Sequence, residues 1–265
     1  MQYFFQEKDR LKKLAGKKNI FLFLDYDGTL TPIVKTPPQA LLSPAVRGLL
    51  ARLNRQRRCR VAIVSGRSLA NIKSMVRLEG IIYVGNHGLE VEGAGLRPLR
   101  VLPWRFRQVL KELRKRLTEN TERFKGVFVE DKGLTLSLHY RLASQRCIPE
   151  IKKAFDEVLR LPVAAKKVKV TRGKKVFEIR PPVNWDKGAV VAWLLNQKNV
   201  LSSKGPCLGV YVGDDTTDEA AFAVLRKRGV GIGVGKTKNS HAKFYLKDHR
   251  EVYVFLKQLL EVVHG

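Results

Sequence analysis

The sequence predicts an α/β protein with a mainly parallel sheet and a second, inserted α+β unit. The first observation is a series of short apolar runs without polar alternation, such as residues 20–24, each followed at once by glycine or polar residues. Strands of this kind are covered on both faces, as in parallel sheets. The second observation is a change of pattern near residue 102, beyond which amphipathic helices and alternating strands follow. We therefore expect a core from residues 1–101 and 182–265 and an insertion from residues 102–181.

The central strand is predicted over residues 20–24, and two carboxylates, Asp25 and Asp27, follow it closely. Gly28 permits a backbone conformation that most residues resist, so a tight turn places both carboxylates at the carboxyl end of a buried strand. This is where α/β folds place their binding and catalytic groups. Taken alone, Asp27-Gly28 favours an ordinary turn. The rest of the chain is needed to decide between the two interpretations.

The next helix and strand lead to a serine and a glycine. Ser43 can cap a helix that has Pro44 in its first turn. Residues 60–64 then form a strand that ends in Ser65-Gly66-Arg67, and a further helix starts at about Ser68. Free backbone N–H groups at such a helix start can hold a phosphate oxygen. A plain helix cap explains the same residues.

Residues 81–92 read as two short strands around the turn at residues 85–88. His87 and Glu90 lie beside this turn and are candidate ligand contacts. A histidine next to glycine is also typical of an ordinary turn residue.

The inserted unit reads as helix, two strands, helix, two strands. A basic amphipathic helix over residues 104–117 precedes strands at residues 126–129 and 134–140, which flank a turn at residues 130–133. A helix containing Ile151 and Phe155 follows, and then strands at residues 167–171 and 176–180. This pattern predicts an antiparallel sheet backed by two helices.

After the insertion, the core pattern returns with a second acidic cluster. A helix over residues 184–195 is expected to expose Lys187 in its first turn, and the apolar strand at residues 208–212 runs into GDDTTDE. The acidic groups there, among them Asp214, Asp215 and Asp218, repel one another unless a cation or a helix amino terminus compensates. A strand at residues 230–234 and a closing helix at residues 252–263 complete the chain.

Composition limits the functional classes. With 51 Lys plus Arg against 24 Asp plus Glu, the formal net charge is +27, which attracts anions in general. The basic residues are spread along the chain without a nucleic-acid-binding motif, so a solvated basic surface is favoured over a nucleic-acid partner, and no specific nucleic acid is expected. Cys59, Cys147 and Cys207 form no pair that indicates a disulfide or zinc site. With no signal peptide and no apolar run of about 20 residues, we expect a soluble cytoplasmic protein and no membrane partner.

The motifs together resemble a known family. The order DYDGT, SGR, an isolated lysine near a helix start, and GDDTTDE is similar to the haloacid dehalogenase (HAD) superfamily of phosphotransferases. GNHGLE, VEDKGLTLSLHYR, VFEIRP and NWDKG resemble the trehalose-6-phosphate phosphatase family, with the insertion placed between the second and third motifs. The resemblance extends from about Asn19 to the closing helix. It implies a HAD-like Rossmannoid core with an inserted cap, and magnesium-dependent hydrolysis of trehalose 6-phosphate through an aspartyl-phosphate.

The resemblance also implies residue roles. Asp25 would be the nucleophile and, with Asp214 and the backbone carbonyl of Asp27, would bind Mg²⁺. Asp27 would act as general acid and base. Phosphate would be bound by Ser65, Gly66, Arg67 and Lys187. Asp215 and Asp218 would orient the metal ligands and Lys187.

In the cap, the resemblance assigns the sugar to a small polar set. Glu130, Lys132 and Glu178 match the family's sugar-binding residues, and further candidate contacts are His87, Glu90, Arg141 and Arg180. For the two arginines, a strand-end charge on a basic protein is an equal alternative. Cap closure would require a hinge near residues 99–103 and 180–183.

Two other functions are compatible with the sequence. A related phosphatase for mannosyl-3-phosphoglycerate or sucrose 6-phosphate is the rival enzyme, and a basic nucleic-acid-binding protein on a phosphatase scaffold is the rival from another class. The sugar phosphate is the expected partner, and the sequence leaves open whether the protein also has a synthase partner.

Overall fold

The computed structural model describes residues 1–97, 99–100, 105–173, 175–197 and 205–264. Within these ranges the strands are β1 (Gln2–Tyr3), β2 (Asn19–Leu24), β3 (Cys59–Val64), β4 (Ile82–Gly85), β5 (Glu90–Glu92), β6 (Leu99–Arg100), β7 (Phe128–Asp131), β8 (Leu136–His139), β9 (Lys169–Gly173), β10 (Val176–Arg180), β11 (Cys207–Gly213), β12 (Gly229–Val234) and β13 (Phe244–Leu246). The helices are α1 (Arg10–Ala15), α2 (Pro44–Arg55), α3 (Leu69–Val76), α4 (Arg105–Thr121), α5 (Ile148–Ala164), α6 (Lys187–Leu195), α7 (Glu219–Arg228) and α8 (His249–His264).

The chain forms two compact units. The core unit consists of Met1–Leu99 and Trp185–Gly265, and the inserted unit is Arg100–Asn184. Residues 101–104 lie outside the described residues. They include the predicted domain boundary between residues 101 and 102, part of the expected hinge (residues 101–103), and residue 104, the first residue of the predicted helix. In the part of the chain that the structure describes, no helix is both long and apolar enough to cross a bilayer.

The core unit is built on a mainly parallel sheet, as predicted. Its strand order is β1-β13-β12-β11-β2-β3-β4-β5-β6, and every pair from β1 through β4 in this order is parallel, whereas β4 and β5 are antiparallel. At one edge of the sheet, β1 pairs with β13, although the two strands are far apart in the sequence. Strand β2 lies in the middle of the sheet, between β3 and β11.

Burial on both faces explains the apolar run in β2. Leu22 and Leu24 belong to the same hydrophobic cluster as Leu50 of α2 and Phe255 of α8. On the other face, Phe21 and Phe23 stack at 4.2 Å between ring centroids and share a cluster with residues of α6 and α7. Because helices cover both sides, residues 20–24 of the strand are all apolar.

Local capping sets the predicted helix starts. The Ser43 side chain accepts a hydrogen bond from Val46 N, and α2 begins at Pro44. Ser68 caps α3 in the same way by accepting from Asn71 N. Each cap binds a backbone N–H that has no partner inside its helix.

The inserted unit is an antiparallel sheet of order β7-β8-β10-β9, packed with α4 and α5 around its own hydrophobic cluster. The predicted strand at residues 126–129 is shifted. Gly126 has φ +86°, and a Cβ there would lie 2.4 Å from the Leu142 carbonyl oxygen, so residue 126 belongs to a turn. As a result, Glu130 and Asp131 lie in β7 and not in the turn that follows it.

Candidate active site

Polar groups meet at the carboxyl edge of the core sheet, where β2, β3 and β11 end side by side. The backbone N–H of Asp25 donates to Val212 O at 2.9 Å, which ties the turn after β2 to β11. Gly28 has φ +86°, and a Cβ at this position would lie 2.3 Å from Asp214 Oδ2. Only glycine fits between the two acidic turns, so the sequence-based turn at Asp27-Gly28 is part of a site.

Lys187 bridges two buried carboxylates of this edge. Its Nζ lies 2.8 Å from Asp25 Oδ1 and 2.7 Å from Asp218 Oδ1. The three side chains are 3%, 7% and 0% exposed, respectively. The expectation of an exposed Lys187 was therefore wrong. A Cβ on Gly188 would lie 2.6 Å from Ala220 O, so α6 and α7 approach closely and bury the first turn of α6.

Tyr211 extends this network. Its hydroxyl donates to Asp218 Oδ1 at 2.6 Å, while Asp218 Oδ2 accepts from Asp215 N at 2.9 Å. The Asp215 side chain accepts in turn from the backbone of Asp218, which fixes the 3₁₀ turn after β11. Tyr211 was not predicted as a site residue. The available signal was a tyrosine in an otherwise apolar buried strand, because a buried phenol needs a hydrogen-bond partner.

The electrostatics of the network are dominated by burial. Burial raises the pKa of Asp25 well above its ordinary value; Lys187 lowers this pKa in part, and Asp218 and Asp214 raise it. Burial alone would lower the pKa of Lys187, but Asp218 and Asp25 outweigh it and the pKa is raised. Burial is the largest cause of a raised pKa for Tyr211, and the nearby charge of Asp218 is the next largest. Lys187 is therefore charged and Tyr211 neutral at physiological pH.

Asp27 is bound by Arg67. Arg67 Nε and one terminal nitrogen each lie 2.7 Å from an oxygen of the Asp27 carboxylate, a bidentate arrangement. The guanidinium also donates to Pro37 O at 2.8 Å and to Asn71 Oδ1 at 3.0 Å. The sequence assigned Arg67 to phosphate, and the structure places its guanidinium on the general acid and base candidate.

The turn after β3 packs against the turn at residues 85–88. Ser65 is buried, and its Oγ accepts from Arg67 N at 3.1 Å. His87 N donates to Ser65 O at 3.0 Å, and a Cβ on Gly66 would lie 2.5 Å from the His87 ring. Glu90 Oε2 accepts from Leu69 N and from the Asn86 side chain. His87 and Glu90 thus support the Ser65-Gly66-Arg67 turn.

The inserted unit carries a second polar cluster. Glu130, Ser137 and Glu178 are directly opposite one another on β7, β8 and β10, so their side chains share one face of the sheet. We call these three residues the polar row. Lys132 Nζ lies 3.0 Å from Glu178 Oε1, and His139 Nε2 lies 2.8 Å from Glu130 Oε2. The predicted residues Glu130, Lys132 and Glu178 therefore come together. Arg141 is exposed beyond β8, and Arg180 is the last residue of β10.

Comparison with known proteins identifies the family. The family model for trehalose-phosphatase matches residues 23–250. A probable trehalose-phosphate phosphatase 4 of Oryza sativa subsp. japonica is 38% identical over 257 residues, which cover 94% of this chain and 68% of the relative. The chain belongs to the trehalose-phosphatase family. A second member, trehalose-phosphate phosphatase B of Arabidopsis thaliana, is 36% identical over 96% of this chain and 69% of its own length.

The fold is likewise that of solved structures from the trehalose-phosphatase family. The C-terminal domain of C. albicans trehalose-6-phosphate phosphatase superposes with a TM-score of 0.81 at 24% identity, covering 95% of this chain and 94% of that one. This likeness confirms the predicted HAD-type fold class.

The donor set of this trehalose-phosphatase family member fits a hard divalent cation. Carboxylate oxygens of Asp25, Asp214 and Asp218 lie within 4.8 Å of one another. All are oxygen donors, as Mg²⁺ and Ca²⁺ prefer. Both Asp218 oxygens already accept hydrogen bonds from the protein. Asp25 and Asp214 are therefore better suited as ligands, and Asp218 as the partner that holds Lys187.

Proposed function

We propose that this protein is a magnesium-dependent phosphatase that hydrolyses trehalose 6-phosphate to trehalose and phosphate. Membership of the trehalose-phosphatase family and the names of its relatives support the substrate. The observation that carries the chemistry is the buried Asp25–Lys187–Asp218 network at the end of β2. It supplies a fixed carboxylate nucleophile with a cation beside it.

Asp25 attacks phosphorus in line and forms an aspartyl-phosphate, while the P–O bond to the sugar breaks. Asp25, Asp214 and the Asp27 carbonyl would hold Mg²⁺, whose positive charge offsets the repulsion between a phosphate dianion and a carboxylate. Lys187, shared between Asp25 and Asp218, adds a second positive charge. The Ser65 hydroxyl and the Gly66 amide bind phosphoryl oxygens, for which preorganised donors are most effective in the transition state.

Asp27 protonates the leaving sugar oxygen and then takes a proton from the water that hydrolyses the intermediate. Since both of its oxygens accept from Arg67, the carboxylate must partly leave this pair to reach the substrate. Arg67 is therefore proposed to hold the ionised Asp27 carboxylate between the two proton transfers, after Asp27 has given its proton to the sugar oxygen.

In the inserted unit, Glu130, Lys132 and Glu178 bind sugar hydroxyls. Carboxylates and an ammonium group supply the acceptors and donors that a disaccharide requires. His87, Glu90, Arg141 and Arg180 are proposed as further contacts or supports. We also propose a cytoplasmic location, in keeping with the free thiols of Cys59, Cys147 and Cys207.

A phosphate-release panel tests the function. Trehalose 6-phosphate, sucrose 6-phosphate and mannosyl-3-phosphoglycerate are compared with and without Mg²⁺. We expect the fastest turnover with trehalose 6-phosphate and loss of turnover with a chelator. Equal or faster turnover of another sugar phosphate would contradict the proposed substrate. Salt-sensitive binding of random DNA or RNA with little hydrolysis would instead favour the nucleic-acid alternative that the +27 charge allows.

Two variants test the residue roles. Asp25→Asn should abolish turnover and leave the circular dichroism spectrum unchanged, and substantial residual activity would reject Asp25 as the nucleophile. Glu130→Ala should reduce turnover of trehalose 6-phosphate far more than that of a small aryl phosphate. Equal losses on both substrates would remove Glu130 from the sugar site.

A further inference from the structure

We propose that His139 is a positioning residue that sets the orientation of Glu130 for binding a sugar hydroxyl. The inference rests on the proposed function, because it assigns to His139 a part in reading the sugar of the substrate. His139 lies in the stretch VEDKGLTLSLHYR, beside the predicted sugar-binding residues Glu130 and Lys132.

The first support is the contact itself. His139 Nε2 lies 2.8 Å from Glu130 Oε2, within hydrogen-bond distance. A carboxylate can only accept, so Nε2 must carry the hydrogen. Both side chains are partly buried, which strengthens the bond relative to one in water. One oxygen of Glu130 is thereby held, which restricts the rotation of the carboxylate.

The second support is the aromatic contact that holds the imidazole. Phe128 is directly opposite His139 in the β7–β8 register, and their rings stack at 4.6 Å between centroids and 14° between planes. Phe128 also lies two residues before Glu130 on the same strand, so the three side chains share one face. Phe128 is 41% exposed. Its ring stacks on the imidazole and restricts the orientation of the His139 side chain.

The third support is the symmetry of the polar row. Glu178 is held by Lys132 at 3.0 Å, as Glu130 is held by His139. Ser137 lies between the two glutamates in register and is fully buried. Among the described residues, its hydroxyl has no hydrogen-bond partner. Two carboxylates that are each held by a hydrogen bond on the same face of the sheet form an arrangement suited to accept from hydroxyls of a sugar.

A purely structural role for His139 makes a different prediction. If the histidine only stabilised the sheet, its loss would lower activity on every substrate and would add to the loss from Glu130→Ala. If it acts through Glu130, its loss affects only the sugar substrate and has no further effect once Glu130 is absent. A double-mutant cycle separates these cases.

The experiment measures kcat/KM for the best sugar phosphate of the panel and for p-nitrophenyl phosphate. The variants are His139→Ala, His139→Gln, Glu130→Ala and the double variant His139→Ala/Glu130→Ala, and melting temperatures are recorded for all. His264→Ala is the control, since His264 is exposed and its contact with Gln56 is long, at 3.4 Å.

We expect His139→Ala to lower kcat/KM for the sugar phosphate about tenfold, as for loss of a hydrogen bond to a charged group, with p-nitrophenyl phosphate unaffected. The double variant should match Glu130→Ala, and His139→Gln should recover part of the loss because its amide can donate. Parallel losses on both substrates, or additive losses in the double variant, would overturn the inference. Should the wild type prefer another sugar phosphate, the proposed substrate fails, and the cycle with that sugar still decides the role of His139.

Discussion

Replacing Lys187 with methionine tests the buried network directly. Methionine is an unbranched side chain one atom shorter than lysine, and it removes the charge and the hydrogen bonds. Asp25 and Asp218 then remain buried beside each other without their shared cation. We expect loss of both stability and turnover, because the same ammonium group offsets carboxylate repulsion and supplies positive charge next to Asp25, the proposed nucleophile.

The size of the effect follows from the contacts. Removing one member of a buried ion pair costs about 3–5 kcal/mol. Tyr211 and the Asp215 amide still bind Asp218 after the change, so the lower end, about 3 kcal/mol, applies. In a domain of this size, 1 kcal/mol corresponds to roughly 2–4 °C, which gives a fall in Tm of about 6–12 °C. Turnover should fall about a thousandfold, as when a single transition-state donor is lost.

The assay is thermal unfolding followed by circular dichroism, in chelator so that no bound cation contributes, together with phosphate release in Mg²⁺. Lys12→Met is the control. The Lys12 side chain is 75% exposed and its Nζ is 3.8 Å from Asp9 Oδ1, so we expect the free energy of unfolding to change by less than about 0.5 kcal/mol. Adding Asp218→Asn to Lys187→Met should restore part of the lost stability, because one buried charge is removed. A Lys187→Met protein that melts within about 2 °C of the wild type would refute the buried network.

Three further predictions concern other parts of the core unit. Tyr211→Phe keeps the ring packing but loses the hydrogen bond to Asp218, so the free energy of unfolding, measured by chemical denaturation, should fall by about 2 kcal/mol. An unchanged denaturation midpoint would argue against this hydrogen bond. Arg67→Lys cannot bind Asp27 bidentately and should lower kcat about tenfold with a smaller change in KM, measured by phosphate release; a change in KM alone would indicate that Arg67 serves only binding. Asp248→Ala removes the side-chain acceptor for the N–H groups of Arg250 and Glu251 at the start of α8 and should cost about 1 kcal/mol at pH 7. The hydrogen bond from Arg250 lowers the pKa of Asp248 in the folded protein. The difference in free energy of unfolding between wild type and Asp248→Ala should therefore persist down to the ordinary carboxyl pKa of 3.8 and fade as the pH falls through the lowered pKa. Equal differences at pH 7 and pH 3 in thermal melts would contradict a lowered pKa for Asp248.

Elements with local signals were predictable from the sequence. Helix α2 begins at Pro44 because Ser43 caps it, and α3 begins at Leu69 because Ser68 caps it. The shift of β7 could not be foreseen, because it depends on the approach of Gly126 to the Leu142 carbonyl. Strands β1 and β13 were missed: they are two and three residues long and are stabilised by pairing between distant parts of the chain.

The same division holds for the candidate site. Parallel strands share a carboxyl edge, so the sequence could place Asp25 and Asp214 together. It could not show that Lys187 is buried, because this depends on the close packing of α6 on α7. Nor could it show that Arg67 binds Asp27. The two residues are 40 positions apart, and the bidentate contact depends on how the turns after β2 and β3 are placed in the folded protein.

The place of β2 in the sheet has a consequence for synthesis on the ribosome. One edge of β2 pairs with β3, which is made soon afterwards, but the other pairs with β11, which is made only after the whole inserted unit. At roughly 5–20 residues per second, that edge stays open for on the order of ten seconds or more. An unpaired apolar strand edge can pair with other nascent chains. We therefore expect β2, the strand that leads to Asp25, to need protection by a chaperone during translation.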